Sequence, residues 1–402
     1  MLRLTPRVVL ASALAAVASV TVASASAGTT ASALPFAKSA PGSPKFSAQR
    51  TNDKHTKALQ TVPFWIGQFT DPTNGVTYPY SMVGNADPRI GHGGGTTSVP
   101  TVIVPLAFSF ASADGFTLDG STRVAAVTAS PQFQRNDYRS TATGSNSSGV
   151  QLEDAVMRSQ FNEVGASPYH LALGQPTVLP TQTLSVPKNQ GSAEATPAGP
   201  LGLVAADWFQ QRLNQLLNGL NLDPTTLPIF LVDNTYLYAG KDPNAPGACC
   251  VLGFHGAVKA HGSVGANTAV QTFVYASYIS RGSFDGQPFL ADIHALSHEV
   301  AEWADDPFVN NVVNPWLAPT APQYGCTDLL ETGDPVVGVG FAMPGNSYDT
   351  GPLADGSWHP EDEVFLPWFA RESPNRTSEG GRYTFMGDAN PFSGFHQPAT
   401  GC

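Results

Sequence analysis

Glycine and proline set the first limit on this fold. The 402-residue chain holds 39 glycines and 34 prolines. Few apolar runs extend far before a turn residue interrupts them. Glycine readily adopts left-handed backbone, and proline neither continues a helix nor donates to a sheet ladder. A helical bundle is disfavoured, and short strands joined by turns are expected. "TVIVPLAFSF" (101–110), "STRVAAVTAS" (121–130) and "PTVLPTQTLSV" (176–186) read as β-prone runs, with "HGGG" (92–95) and "ATGSNSSG" (142–149) as turns. "LEDAVMRSQFNEV" (152–164) reads as a helix within this β-rich first half.

The stretch "PKNQGSAEATPAGP" (187–200) reads as a connector, which places a β-rich module at 61–190 and a second domain at 191–402. In that second domain "VAADWFQQRLNQLLNGL" (204–220) has helical spacing, ending near Gly219. "LPIFLVDNTYLYAG" (227–240) and "TFVYASYIS" (272–280) are expected strands. A further helix is expected from near Phe289 to the break at Pro307.

Composition removes several function classes. Net charge is −11, charged residues are only 13%, and no run of lysine or arginine occurs. Neither nucleic acid nor an anionic membrane surface is expected as a partner. The N-terminus has a short basic region, the apolar run "VVLASALAAVASVTV" (8–22) and the small-residue site "ASA" (25–27). These read as a secretory signal peptide over residues 1–27, followed by a polar, disordered segment or pro-segment at 28–60. The mature protein is expected outside the cell, with no membrane span. Four cysteines fit disulfides in that setting. Cys249 and Cys250 are expected to reach separately to Cys326 and Cys402, because a bridge between neighbours strains the peptide.

The chemistry concentrates in "HALSHEVAEWADDP" (294–307). His298, Glu299 and Glu302 spell H-E-x-x-E, one residue from the zinc-peptidase pattern H-E-x-x-H. Residues four apart share one helix face, so His298 and Glu302 can hold one ion. An imidazole nitrogen and a carboxylate oxygen are both ordinary zinc ligands. Glu299 then takes the proton from the activated water as general base. A catalytic zinc site needs a third ligand from elsewhere, and "LLETGDP" (329–335) offers Glu331, with Asp306 or Asp334 in reserve. Asp334 alternatively orients His298 through its other nitrogen. His294 reads as a supporting or surface residue, His255 as a loop residue and His359 as structural. The competing explanation of the whole stretch is a solvated acidic helix face.

"SHEVAEWADDPFVNNVVNPW" (297–316) followed by "LLETGDP" resembles a segment of secreted zincin-like proteins. Plant phosphate-induced (Exordium-like) proteins carry a similar segment, and secreted bacterial proteins share "CCVLGFH" (249–255) as well. The resemblance covers roughly residues 225–340. It implies an α+β fold, with a zincin-like metallopeptidase domain at 191–402 behind the β-rich module. It also implies a metal site on His298, Glu299, Glu302 and Glu331. The expected function is a secreted zinc hydrolase acting on peptides or proteins, with one zinc per chain and Glu299 as base. The alternative is an extracellular wall- or matrix-associated binding protein whose metal is structural or absent.

Overall fold

The computed structural model describes residues 60–402 except 91–94, 140–144, 167, 197, 241–248, 261–268, 285, 321, 323–324, 352 and 388–392. The leader expected at 1–27 and the polar segment up to residue 59 lie outside the described residues, as do His92, Gly93 and Gly94.

The fold is mixed α/β. Its centre is a sheet whose main path contains five strands: β1 (Thr101–Phe110), β2 (Gln182–Val186), β3 (Leu227–Asp233), β4 (Gly253–Lys259) and β5 (Val270–Tyr278). Their spatial order is β2-β1-β3-β5-β4. The first four in that order run parallel, and β4 is antiparallel at the edge beside β5. Strands covered on both faces read as continuous apolar runs, and β5 is buried along its whole length.

Side chains alternate across a strand, and here the alternation feeds two cores. Phe230, Val232, Phe273 and Tyr275 point to one face, where Phe209, Leu213 and Leu217 of helix α2 (Ala206–Gly219) cover them. Ile229, Leu231, Val274 and Ala276 point to the other, where Leu296, Val300 and Trp303 of helix α3 (His294–Asp305) cover them. Trp303 Nε1 also donates to Thr272 Oγ1 at 3.0 Å, fixing α3 on β5. Helix α1 (Leu152–Gln160) covers only the first part of the helix expected over 152–164, and it packs beside α3.

Four expectations are corrected. The boundary at 187–200 does not separate two sheets. Residues Gly191–Thr196 and Gly199–Ala205 form an antiparallel hairpin there, and β1 of the first half pairs in register with β3 of the second. Residues 121–129 of the run expected to be extended at 121–130 are helical instead. Asp119 accepts from the Ser121 N–H at 2.8 Å to start the turn, and Ala126 and Val127 of Val124–Ala129 go into the core.

Helix α3 begins five residues later than expected, because Asp292 sits at a left-handed φ of 42° just ahead of it. The disulfides also differ: Cys249 bonds to Cys250, and Cys326 bonds to Cys402. The second pairing follows from the strand Val312–Leu317, whose Leu317 pairs with Cys326 and whose Trp316 bridges to Gly401.

Candidate metal centre

Helix α3 carries the site and is not a solvated face. Glu299 and Glu302 are each 4% exposed, which removes the reading of these acids as surface charge. They face the edge strand β4 and the loop at 331–334. Two glycines make that approach possible. A Cβ on Gly253 of β4 would stand 2.6 Å from Glu299 Cγ, and one on Gly333 would stand 2.3 Å from His298 Nδ1.

His298 is held in one orientation. Its Nδ1 donates to Glu361 Oε2 at 2.5 Å. Glu361 is itself fixed: its Oε1 accepts from the Gly338 N–H at 3.1 Å, and its own N–H donates to Ser297 Oγ at 2.9 Å. The free Nε2 of His298 then faces Glu302 Oε1 at 3.2 Å, Glu299 Oε1 at 3.8 Å and Asp334 Oδ1 at 3.9 Å. A histidine with one nitrogen tied to a carboxylate and the other turned toward anionic donors has the arrangement of a metal ligand. His294, one turn earlier, is buried with Nε2 3.3 Å from the same Glu361 oxygen, so it supports Glu361.

Glu302 lies at the centre. Its Oε1 also accepts from the Gly333 and Asp334 N–H groups at 3.2 and 3.3 Å. Its Oε2 is 3.4 Å from His255 Nδ1. His255 thus belongs to the cluster, contrary to the loop role expected for it. It sits on β4, where Phe254 faces the α2 core and His255 faces α3 by alternation. Glu331 does not join His298 as expected. It joins Glu302 and His255, with Oε2 3.9 Å from His255 Nδ1.

Two donor sets therefore share Glu302: His298, Glu299 and Glu302, and His255, Glu302 and Glu331. In each set, ligand atoms lie within 4.8 Å of one another. Asp306, held in reserve from the sequence, is engaged elsewhere. Its carboxylate accepts from the Asn310 and Asn311 N–H groups at 3.0 and 2.9 Å. Asp334 faces His298 Nε2 and does not orient it; that role falls to Glu361, which the sequence reading missed. His359 is structural as expected, its Nδ1 donating to Asp292 at 2.7 Å.

The electrostatics are those of an acid-rich, buried site. Burial raises Glu299 to about 7, although His298 pulls it down. Burial and then the Glu302 charge raise Asp334 to about 8 and push Glu331 well above the carboxylate range. For Glu302, burial acts upward, but His298 and His255 outweigh it and hold the group ionised. Burial would lower His298 and His255. The Glu302 and Glu361 charges outweigh it at His298, and the Glu331 and Glu302 charges do so at His255, raising both. Glu299 Oε2 and Glu331 Oε1 have no hydrogen-bond partner among the described residues. A buried oxygen left this way costs about 1–3 kcal/mol, and a cation between the donors removes that cost.

A small cavity of roughly 60 Å³ opens on this cluster, lined by Leu252, Gly253, Leu290, His298, Glu299 and Asp334 among others. A larger one, about 200 Å³, lies beside Arg123, Tyr278 and Arg281. Both arginines there are already paired, Arg123 with Asp233 and Arg281 with Asp355. The smaller cavity is the one that opens on His298, Glu299 and Asp334.

No family model, curated protein or solved structure matches this chain.

Proposed function

We propose that this protein is a secreted, metal-dependent hydrolase of zincin-like design that cleaves peptide bonds. The observation that carries the reading is the orientation of His298, locked by Glu361 with Nε2 turned onto buried carboxylates. His298 and Glu302 hold the ion, with Asp334 beside them. The donors are imidazole and carboxylate at spacings that suit zinc. A divalent ion there supplies Lewis acidity for a carbonyl and makes water a better nucleophile. Glu299, buried with one carboxylate oxygen unpartnered among the described residues, takes the proton and returns it to the leaving amine. Leu252 and Leu290 give the substrate an apolar wall.

The test is cleavage of a peptide mixture, read by mass spectrometry. Wild type should cleave, a chelator should stop it, and zinc should restore it. Glu299→Gln should lose about 100- to 10,000-fold in rate while keeping its metal and melting temperature. Unchanged cleavage by Glu299→Gln would contradict the assignment.

A further inference from the structure

We propose that the site binds a second divalent cation, held by His255, Glu331 and the outer oxygen of Glu302, so that Glu302 bridges two ions. The inference rests on the metal reading of the His298 side and deepens it.

The geometry around His255 carries it. His255 Nε2 lies 3.1 Å from the backbone carbonyl of Asp306, which only accepts, so this nitrogen carries the hydrogen. The opposite nitrogen, Nδ1, faces Glu302 at 3.4 Å, Glu299 at 3.6 Å and Glu331 at 3.9 Å. Three carboxylates converge on one ring nitrogen, all at distances beyond the usual 2.7–3.2 Å of an N–H···O bond. Two ligand atoms about 2.0–2.2 Å from a shared tetrahedral ion stand about 3.3–3.6 Å apart. The spacing therefore fits donors grouped around a cation better than donors bonded to one another.

Two further observations agree. Glu331 is 1% exposed, and its Oε1 finds no hydrogen-bond partner among the described residues. Glu302 presents Oε1 to His298 and Oε2 to His255, one oxygen to each donor set, as a bridging carboxylate does. Charge points the same way. Glu299, Glu302, Glu331 and Asp334 all face the two histidines. A cation among them favours the ionised form of each carboxylate. One histidine with several carboxylates is a donor set for zinc or manganese. Bridged pairs of such ions sit about 3.5–4 Å apart in hydrolytic sites.

The experiment uses the full chain, stripped with chelator and titrated with zinc by calorimetry. Two equivalents are expected for wild type and one for His255→Ala. Because His255 is buried and its variant can fail to fold, the wild type is also loaded with manganese and examined by electron paramagnetic resonance. An exchange-coupled spectrum is expected, in place of the hyperfine pattern of isolated ions. One zinc equivalent with an isolated-ion spectrum overturns the second site and leaves the proposed function standing. No bound metal overturns both.

Discussion

Gly333→Ala isolates the contact on which the metal reading depends. Gly333 has φ −83° and ψ −34°, a conformation open to any residue. Alanine there brings no backbone strain, and restricting the unfolded chain favours folding by about 0.4–1 kcal/mol. The whole penalty arises at His298. The new Cβ would stand 2.3 Å from Nδ1 and 2.6 Å from Cε1, where ordinary contact begins near 3.4 Å. The ring or the loop must therefore shift by about 1 Å. A metal–nitrogen bond of about 2.0–2.1 Å does not survive a displacement of that size. If the loop moves instead, Glu302 loses the Gly333 and Asp334 N–H bonds that aim it. Disturbing such supporting contacts costs about 10- to 100-fold in metal affinity, or roughly 1.4–2.8 kcal/mol. Zinc affinity, measured by competition with a chelating dye, should fall by that factor, and the metal-free melting temperature should fall as well, because the clash is present without the ion and overpacking costs about 1–3 kcal/mol. Wild-type affinity in Gly333→Ala would refute the placement of His298 at the ion.

Two other predictions concern the scaffold. Arg371 is buried against Asp71 at 3.1 Å and also donates to the Pro315 and Ala399 carbonyls, tying the hairpin of Phe64–Thr70 and Thr77–Val83, whose turn holds Asp71, to the C-terminal segment. Arg371→Met leaves Asp71 as a buried charge without its cation. It should cost about 3–5 kcal/mol, seen as a lower urea midpoint; no change would show that the pair is dispensable. Glu153 of α1 is buried with Oε1 unpartnered among the described residues, and burial raises it well above the carboxylate range, with Asp305 adding to the rise. A raised folded value means that the stability contribution is complete below the unfolded value near about 4.3 and is lost as pH rises toward the folded value. Wild-type stability should fall with rising pH in that window by up to about 1.4 kcal/mol per pH unit from this group. Glu153→Gln should flatten the slope in urea titrations, and an unchanged slope would count against it.

The sequence exposed local chemistry better than long-range assembly. H-E-x-x-E on a helix was legible because helical spacing alone puts His298 and Glu302 on one face. Glu331 was legible as a nearby carboxylate but not as a partner of His255, since that depends on which side of Glu302 the loop passes. His255 carried a signal that went unused. In "GFHGAVK" the apolar Phe254 takes one sheet face, which sends His255 to the other. Glu361 gave no local sign, because its role comes from a segment 63 positions along the chain folding back under His298. The domain boundary failed for a related reason. Glycine and proline at 187–200 mark a turn equally well in a hairpin and in a linker, and only the parallel pairing of β1 with β3 distinguishes the two.

The central claim is that His298 and Glu302 hold a divalent ion inside this fold. Elemental mass spectrometry on protein purified without added metal, beside His298→Ala, tests it most directly. The account predicts stoichiometric zinc or another divalent metal in the wild type, and less metal in a variant that still folds. Wild-type protein free of metal, or a metal content that His298→Ala leaves unchanged, would contradict it.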